Sequence, residues 1–279
     1  AGAAKAARFG WDGPGPAPAG WSEDEALRLA SAQARTRRAG FLRTETAPAD
    51  APFGSEDLVR AFRRIAFYTE FPDPAADGDP RTTLRKWRGR IRWRVGGDGA
   101  RPEDRDAAAA LMARLEPLTG LEFREATPGG AVEMDLRLLT AGGRRAVRDA
   151  LAAQGRLADW SLFDAWLSDG RMLCFAITRG GSGRGGWERR AVIAIRAELP
   201  PLWRESCIHE EVTQALGLLN DDPRARPSIF NDDEEFALLT AHDAALLRML
   251  YDPRLTPGMT EAEAAPILPA VAAAARAGG

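Results

Sequence analysis

No stretch of this 279-residue chain approaches the roughly 20 consecutive apolar residues that a membrane-crossing helix needs, so no membrane span is expected. Cysteine is almost missing. Cys174 and Cys207 are the only two, enough for one disulfide in an oxidising compartment or for two buried thiols, and spacing leaves both open. Neither sign of charge dominates, with 38 Lys and Arg against 40 Asp and Glu and a formal net charge of −2. Binding nucleic acid requires a basic face that neutralises phosphates, so no nucleic-acid partner is expected. The short arginine clusters at 35–38 and 184–190 read as solvated surface. The glycine run at 180–186 lacks the Gly-Lys-Ser/Thr ending of a phosphate loop and reads as a flexible connection. No internal repeat is visible. The chain opens on Ala1 without a charged-then-apolar leader, and a signal peptide already removed is the expectation.

What remains is an ordinary globular composition, 45% hydrophobic and 28% charged, long enough for one large or two smaller domains. Residues 1–21 are rich in Ala, Gly and Pro and are expected to be disordered. Ser22 followed by Glu23, Asp24 and Glu25 is a helix start, with the helix running to about Arg38. A second helix from Ser55 presents Leu58, Phe62 and Ile65 at helical spacing, and residues 22–86 read as a helical extension. The Pro and Asp-rich run at 72–80 reads as a loop. From Trp87 the pattern changes. Ile91, Trp93 and Val95 alternate with arginines as in a half-buried strand, and a helix from Asp104 stops near Pro117 and Gly120. Strands follow at Leu121–Phe123 and Val132–Leu138, then a helical region at 144–169 with Trp160, Phe163 and Trp166 as core candidates. Two more strands are expected at 172–177 and 191–195. The predicted class is α+β.

Chemistry concentrates in Cys207-Ile-His-Glu-Glu-Val-Thr-Gln-Ala-Leu-Gly-Leu-Leu-Asn-Asp221, where a helix is predicted over 205–218. Ile208, Val212, Ala215 and Leu216 form one helical face, and Gly217 suits a terminal turn. Glu210 and Gln214 stand one turn apart, so both reach toward one point, with Glu211 beside them. His209 reads as a capping or surface residue. His242 follows Thr240, the expected N-cap of a last core helix. The acidic residues Asp221, Asp222, Asp232, Asp233, Glu234 and Glu235 match no EF-hand spacing and read as solvated charge.

This segment resembles the active-site helix of zincin metallopeptidases, whose His-Glu-x-x-His motif puts two metal ligands at i and i+4 with a Glu base beside the first. In the better frame Glu210 takes the first ligand position, Glu211 the catalytic Glu, Gln214 the second ligand, Gly217 the turning Gly and Asn220 the third ligand. The Glu and the Gly are retained and every ligand histidine is replaced. Pro227-Ser228-Ile229-Phe230 is similar to the turn beneath a metzincin metal, with Phe230 where that family has Met, and 239–251 is similar to the closing helix of matrixin-like peptidases. The resemblance implies a zincin-like domain over 87–256, with a tail at 257–279. More closely, Cys-Ile-x-Glu-Glu-x-x-Gln-x-Leu-Gly-Leu-x-Asn-Asp and the later Ser-Ile-Phe-Asn-Asp resemble an uncharacterised bacterial family of exported proteins. That likeness implies a periplasmic or secreted location and a Cys174–Cys207 disulfide.

Glu, Gln and Asn offer zinc only oxygen donors where it favours nitrogen and sulfur, so zinc is not expected. An oxygen-liganded divalent cation on Glu210, Gln214 and Asn220 or Asp221 is the remaining metal option, although such ions usually take six or more oxygens. Without a metal, Glu211 has no polarised water to activate. The expected function is a pseudopeptidase binding a peptide or protein of the cell envelope through Glu210, Glu211, Gln214, Asn220 and Asp221. The alternative is an active hydrolase with Glu211 as general base and Glu210 as acid or ligand. A third reading makes these side chains merely the polar face of a surface helix.

Overall fold

The computed structural model describes residues 19–70, 79–155, 161–168, 170–180, 185–231 and 233–278. Most of the expected disordered segment and of the loop at 72–80, Trp160 and much of the glycine run fall outside them. Helix α1 (Glu23–Arg38) starts where its cap predicts. The Ser22 hydroxyl accepts the N–H of Glu25 at 3.3 Å, and acids in the first turn with arginines in the last oppose the helix dipole. In α2 (Ser55–Ala66) the Asp57 carboxylate accepts the N–H of Gly54 at 2.9 Å, and Leu58, Phe62 and Ile65 are fully buried.

The architecture is α+β. Strands β1 (Arg90–Gly96), β2 (Glu122–Glu125), β3 (Met134–Leu139), β4 (Cys174–Gly180) and β5 (Glu188–Arg196) form one mixed sheet in the order β2-β1-β3-β5-β4. Four run parallel, and β4 is antiparallel to β5 at the edge. The β1 alternation reads out directly: Ile91 and Trp93 are buried while Arg90 and Arg92 face solvent. Between β1 and β2 lies α3 (Pro102–Thr119), closed by Gly120 in the left-handed conformation. The region predicted as helical at 144–169 is α4 (Ala141–Ala153) and α5 (Ser161–Ser168). Thr140 caps α4 by accepting the N–H of Gly143, and Gly155 at φ 65° ends its run. Phe163 and Trp166 of α5 stack edge-on with Phe175 in a small second core.

Helices α6 (Pro201–Ala215), α7 (Ala241–Tyr251), α8 (Glu261–Ala264) and α9 (Leu268–Ala277) complete the chain. α6 packs on β4 and β5 and on α3, while α9 packs on α2 and α7. Leu58, Phe62 and Ile65 upstream and Leu268 and Val271 downstream therefore join the same apolar core as the sheet. The segment before α2 is fastened by charge. Glu25 accepts from Arg144 at 2.6 Å and from Arg196 at 2.8 Å, and both guanidiniums are buried over the Trp166 ring. Arg144 also reaches buried Glu198 at 2.7 Å, and Gln33 accepts the N–H of Trp203 at 3.0 Å. No helix among the described residues is long and apolar enough to cross a membrane.

Candidate functional site

Helix α6 begins one turn before its predicted start. Pro201 occupies the first turn, where a missing N–H costs nothing. The helix ends at Ala215, and Gly217 then turns the chain at φ 120°. A Cβ there would sit 2.1 Å from the Arg85 carbonyl oxygen, so only glycine fits. The last carbonyls are satisfied by side chains: Trp87 Nε1 donates to Ala215 O at 2.7 Å, and the Tyr251 hydroxyl donates to Leu216 O at 3.0 Å.

Glu211 and Gln214 are buried and Glu210 is half-buried, so the three do not form a solvent-facing polar stripe on α6. Two crosslinks fix the helix. Cys207 is disulfide-bonded to Cys174 at the head of β4, with the Cα atoms 6.0 Å apart. Arg204, also buried, pairs with Asp104 of α3 (2.8 Å from Nε) and donates to the carbonyls of Ala197 and Gly99.

Between α6, β4 and the loops that follow α6 lies a cavity of about 200 Å³. Its wall carries Glu70, Glu210, Glu211, Asp221 and Glu234, one guanidinium from Arg171, and the apolar surfaces of Leu173, Trp203 and Ile229. Glu211 is the deepest of the carboxylates, only 5% exposed, and its Oε2 has no hydrogen-bond partner. Burial pushes its carboxyl well above the usual glutamate range, and the negative charges of Glu210, Glu70 and Asp221 push the same way. A carboxyl so placed holds its proton above the pH at which an exposed glutamate has lost it.

Of the residues singled out in the sequence, Glu210, Glu211 and Asp221 share this wall, whereas Gln214 and Asn220 do not belong to it. Asn220 turns its amide to backbone, donating from Nδ2 to Arg64 O at 3.2 Å and to Asp221 O at 2.7 Å. Gln214 is buried, 8% exposed. The wall's donors are oxygens and a disulfide, a poor match to zinc. Among the described residues no group of three or more His, Cys, Asp or Glu side chains is arranged to hold a metal ion. These residues do not fit the metal that a zincin helix implies.

Neither histidine joins the cavity wall. His209 is not a surface or capping residue: it is buried, its Nδ1 accepts the N–H of Leu239 at 3.0 Å, and desolvation lowers its pKa to about 4, helped by nearby Arg114. His242 follows the Thr240 cap as predicted and packs edge-on against Phe53 at 5.1 Å. The turn at 227–230 supplies Ile229 to the wall and is braced from behind. Asp243 accepts from the Ser228 hydroxyl at 2.5 Å and from the N–H of Ile229 at 3.2 Å. The acidic residues beyond 220 are not one solvated patch. Asp222 is buried and caps Arg224, Glu235 pairs with Arg43 and Arg226, and Asp221 and Glu234 line the cavity. Asp232 lies outside the described residues.

Glu70, Arg171, Trp203 and Glu234 were not legible as site residues. Glu70 arrives through one backbone bond, its N–H donating to Leu219 O at 3.1 Å, and nothing local in its sequence marks it. Glu234 sits at φ 59°, its carbonyl accepting the N–H of Leu42 and its Oε2 accepting from Trp203 Nε1 at 3.3 Å.

A family model described as a protein of unknown function, DUF2927, matches residues 55–270, from the start of α2 into α9. No curated protein and no solved structure matches the chain.

Proposed function

The chain belongs to the DUF2927 family, and we propose that it is an exported zincin-like pseudopeptidase that binds a peptide or protein of the cell envelope in the cavity beside α6. The observation that carries this reading is the cavity wall itself. At the two helix positions where a working zincin presents imidazoles this chain has Glu210 and Gln214. Glu210 and Glu211 join further carboxylates on the wall, and neither His209, bonded to Leu239, nor His242, packed on Phe53, lines it. The element order agrees with the zincin resemblance: strand, helix, two strands, inserted helices, two strands, then the site helix. The disulfide suits an oxidising compartment, which supports export. β4 closes the sheet on the cavity side, and an extended peptide can add to such an edge by backbone hydrogen bonds.

A second reading, an active hydrolase with Glu211 as general base, draws on the raised pKa of that buried carboxyl. One pair of measurements separates the two. Protein dialysed against trace Zn²⁺, Mn²⁺ and Ca²⁺ is assayed for bound metal, then for turnover of a quenched fluorescent peptide library. The pseudopeptidase reading expects neither. Turnover that Glu211→Gln abolishes, or near-stoichiometric metal that Glu210→Ala releases, would transfer the assignment to the hydrolase.

A further inference from the structure

We propose that the cavity beside Glu211 receives the cationic end of a basic side chain, arginine or lysine, carried by the bound peptide. This rests on the peptide-binding reading and states what the peptide must carry. Among the described residues the wall sets Glu70, Glu210, Glu211, Asp221 and Glu234 beside one cation, Arg171. An acidic wall alone would be unremarkable for a surface hollow. The second observation is independent of it: Glu211 is 5% exposed, and its Oε2 lacks any donor. A carboxyl oxygen taken out of water without a donor keeps its full desolvation cost, which a donor arriving from outside removes. Guanidinium and ammonium groups are donors only, and their charge complements a carboxylate wall.

Size and shape favour one side chain. About 200 Å³ is below the roughly 300–1,000 Å³ of clefts built for small molecules. Trp203 and Ile229 supply apolar surface for the methylene stem while the carboxylates meet the head. A bare divalent ion fits less well, since no described group of three ligating side chains is arranged around a common point.

The test is calorimetric titration of the whole chain with three probes. They are the blocked peptide acetyl-Ala-Ala-Arg-Ala-Ala-amide, its citrulline counterpart of the same shape without charge, and acetyl-arginine amide alone. The arginine peptide should bind roughly tenfold or more tightly than the citrulline peptide. Glu210→Gln should shrink that ratio, and Arg148→Ala, outside the cavity wall, should leave it. The peptide comparison uses the natural chain, so it stands even if a variant fails to fold. Equal affinity for the arginine and citrulline peptides overturns the cationic specificity and leaves peptide binding standing. Acetyl-arginine amide binding as tightly as the arginine peptide supports the cation pocket and removes the peptide from the reading. No binding of any probe at millimolar concentration overturns both. Stoichiometric Ca²⁺ or Mn²⁺ that displaces the peptide would give the cavity to a metal and overturn the proposal.

Discussion

Nδ1 of His209 accepts the backbone N–H of Leu239 at 3.0 Å, so the imidazole on the site helix serves the fold as a neutral acceptor. Protonating that nitrogen would break the bond and bury a charge beside Arg114. The unfolded ring takes up its proton near pH 6.5, whereas the folded ring resists to about 4. The unfolded state therefore binds more protons across that window, and stability falls as pH drops through it. The loss is on the order of 3 kcal/mol when complete. His209→Asn, which keeps an acceptor at that position, should flatten the acid limb of a urea-unfolding series run between pH 7 and 4. An unchanged limb would mean that other groups control it.

Glu211 acts in the opposite direction. Its unfolded carboxyl ionises near 4.5, and the folded one keeps its proton to higher pH. Above 4.5 the folded state holds the extra proton, so this group lowers stability as pH rises. Glu211→Gln removes that liability. Thermal melts should show the variant more stable than the natural chain at pH 8, with the two converging near pH 4. A variant less stable at pH 8 would show that the ionised carboxylate is held by favourable contacts after all.

The Cys174–Cys207 bond closes a loop spanning 33 positions and ties edge strand to site helix. Chain-entropy reasoning gives it about 2–4 kcal/mol. Replacing both cysteines by alanine should lower Tm by roughly 5–15 °C for a chain of this size. Because Cys174 and Cys207 also line the cavity, the same variant should weaken binding of any peptide seated there, read by the titration described above.

The first turns of the helices and the β1 strand were legible because their causes are local. Ser22 and Thr240 sit beside the N–H groups they cap, and Ile91 and Trp93 obey the period of two. The start of α6 lies a turn before the expected residue 205, because proline is tolerated at a first helical position and Pro201 takes that place. Helical spacing put Glu210 and Gln214 on one side of α6, and only Glu210 of the two lines the cavity. It could not tell that the wall ends before Gln214, because the packing of β4 and of the loop bearing Glu70 decides that. The burial of His209 was hidden for the same reason: its acceptor role depends on Leu239, which only the tertiary fold brings near.

Arg204 and Asp104 form a buried pair between α6 and α3. Removing one partner strands the other's charge, so Arg204→Met should cost about 3–5 kcal/mol in urea unfolding. The double variant Arg204→Met/Asp104→Leu should recover part of that loss. Additive losses would mean that the two residues do not depend on each other.

The family's matched region starts at residue 55, yet Glu25 lies upstream of it. That carboxylate is a shared counterion for two buried guanidiniums, Arg144 and Arg196, whose own positions fall well inside the match. A border drawn by family likeness therefore cuts through an ion network that is single in space. Trimming the protein to its recognisable part would remove a carboxylate that both arginines share. In this chain the matched region and the ion network have different edges, and α1 belongs to the second.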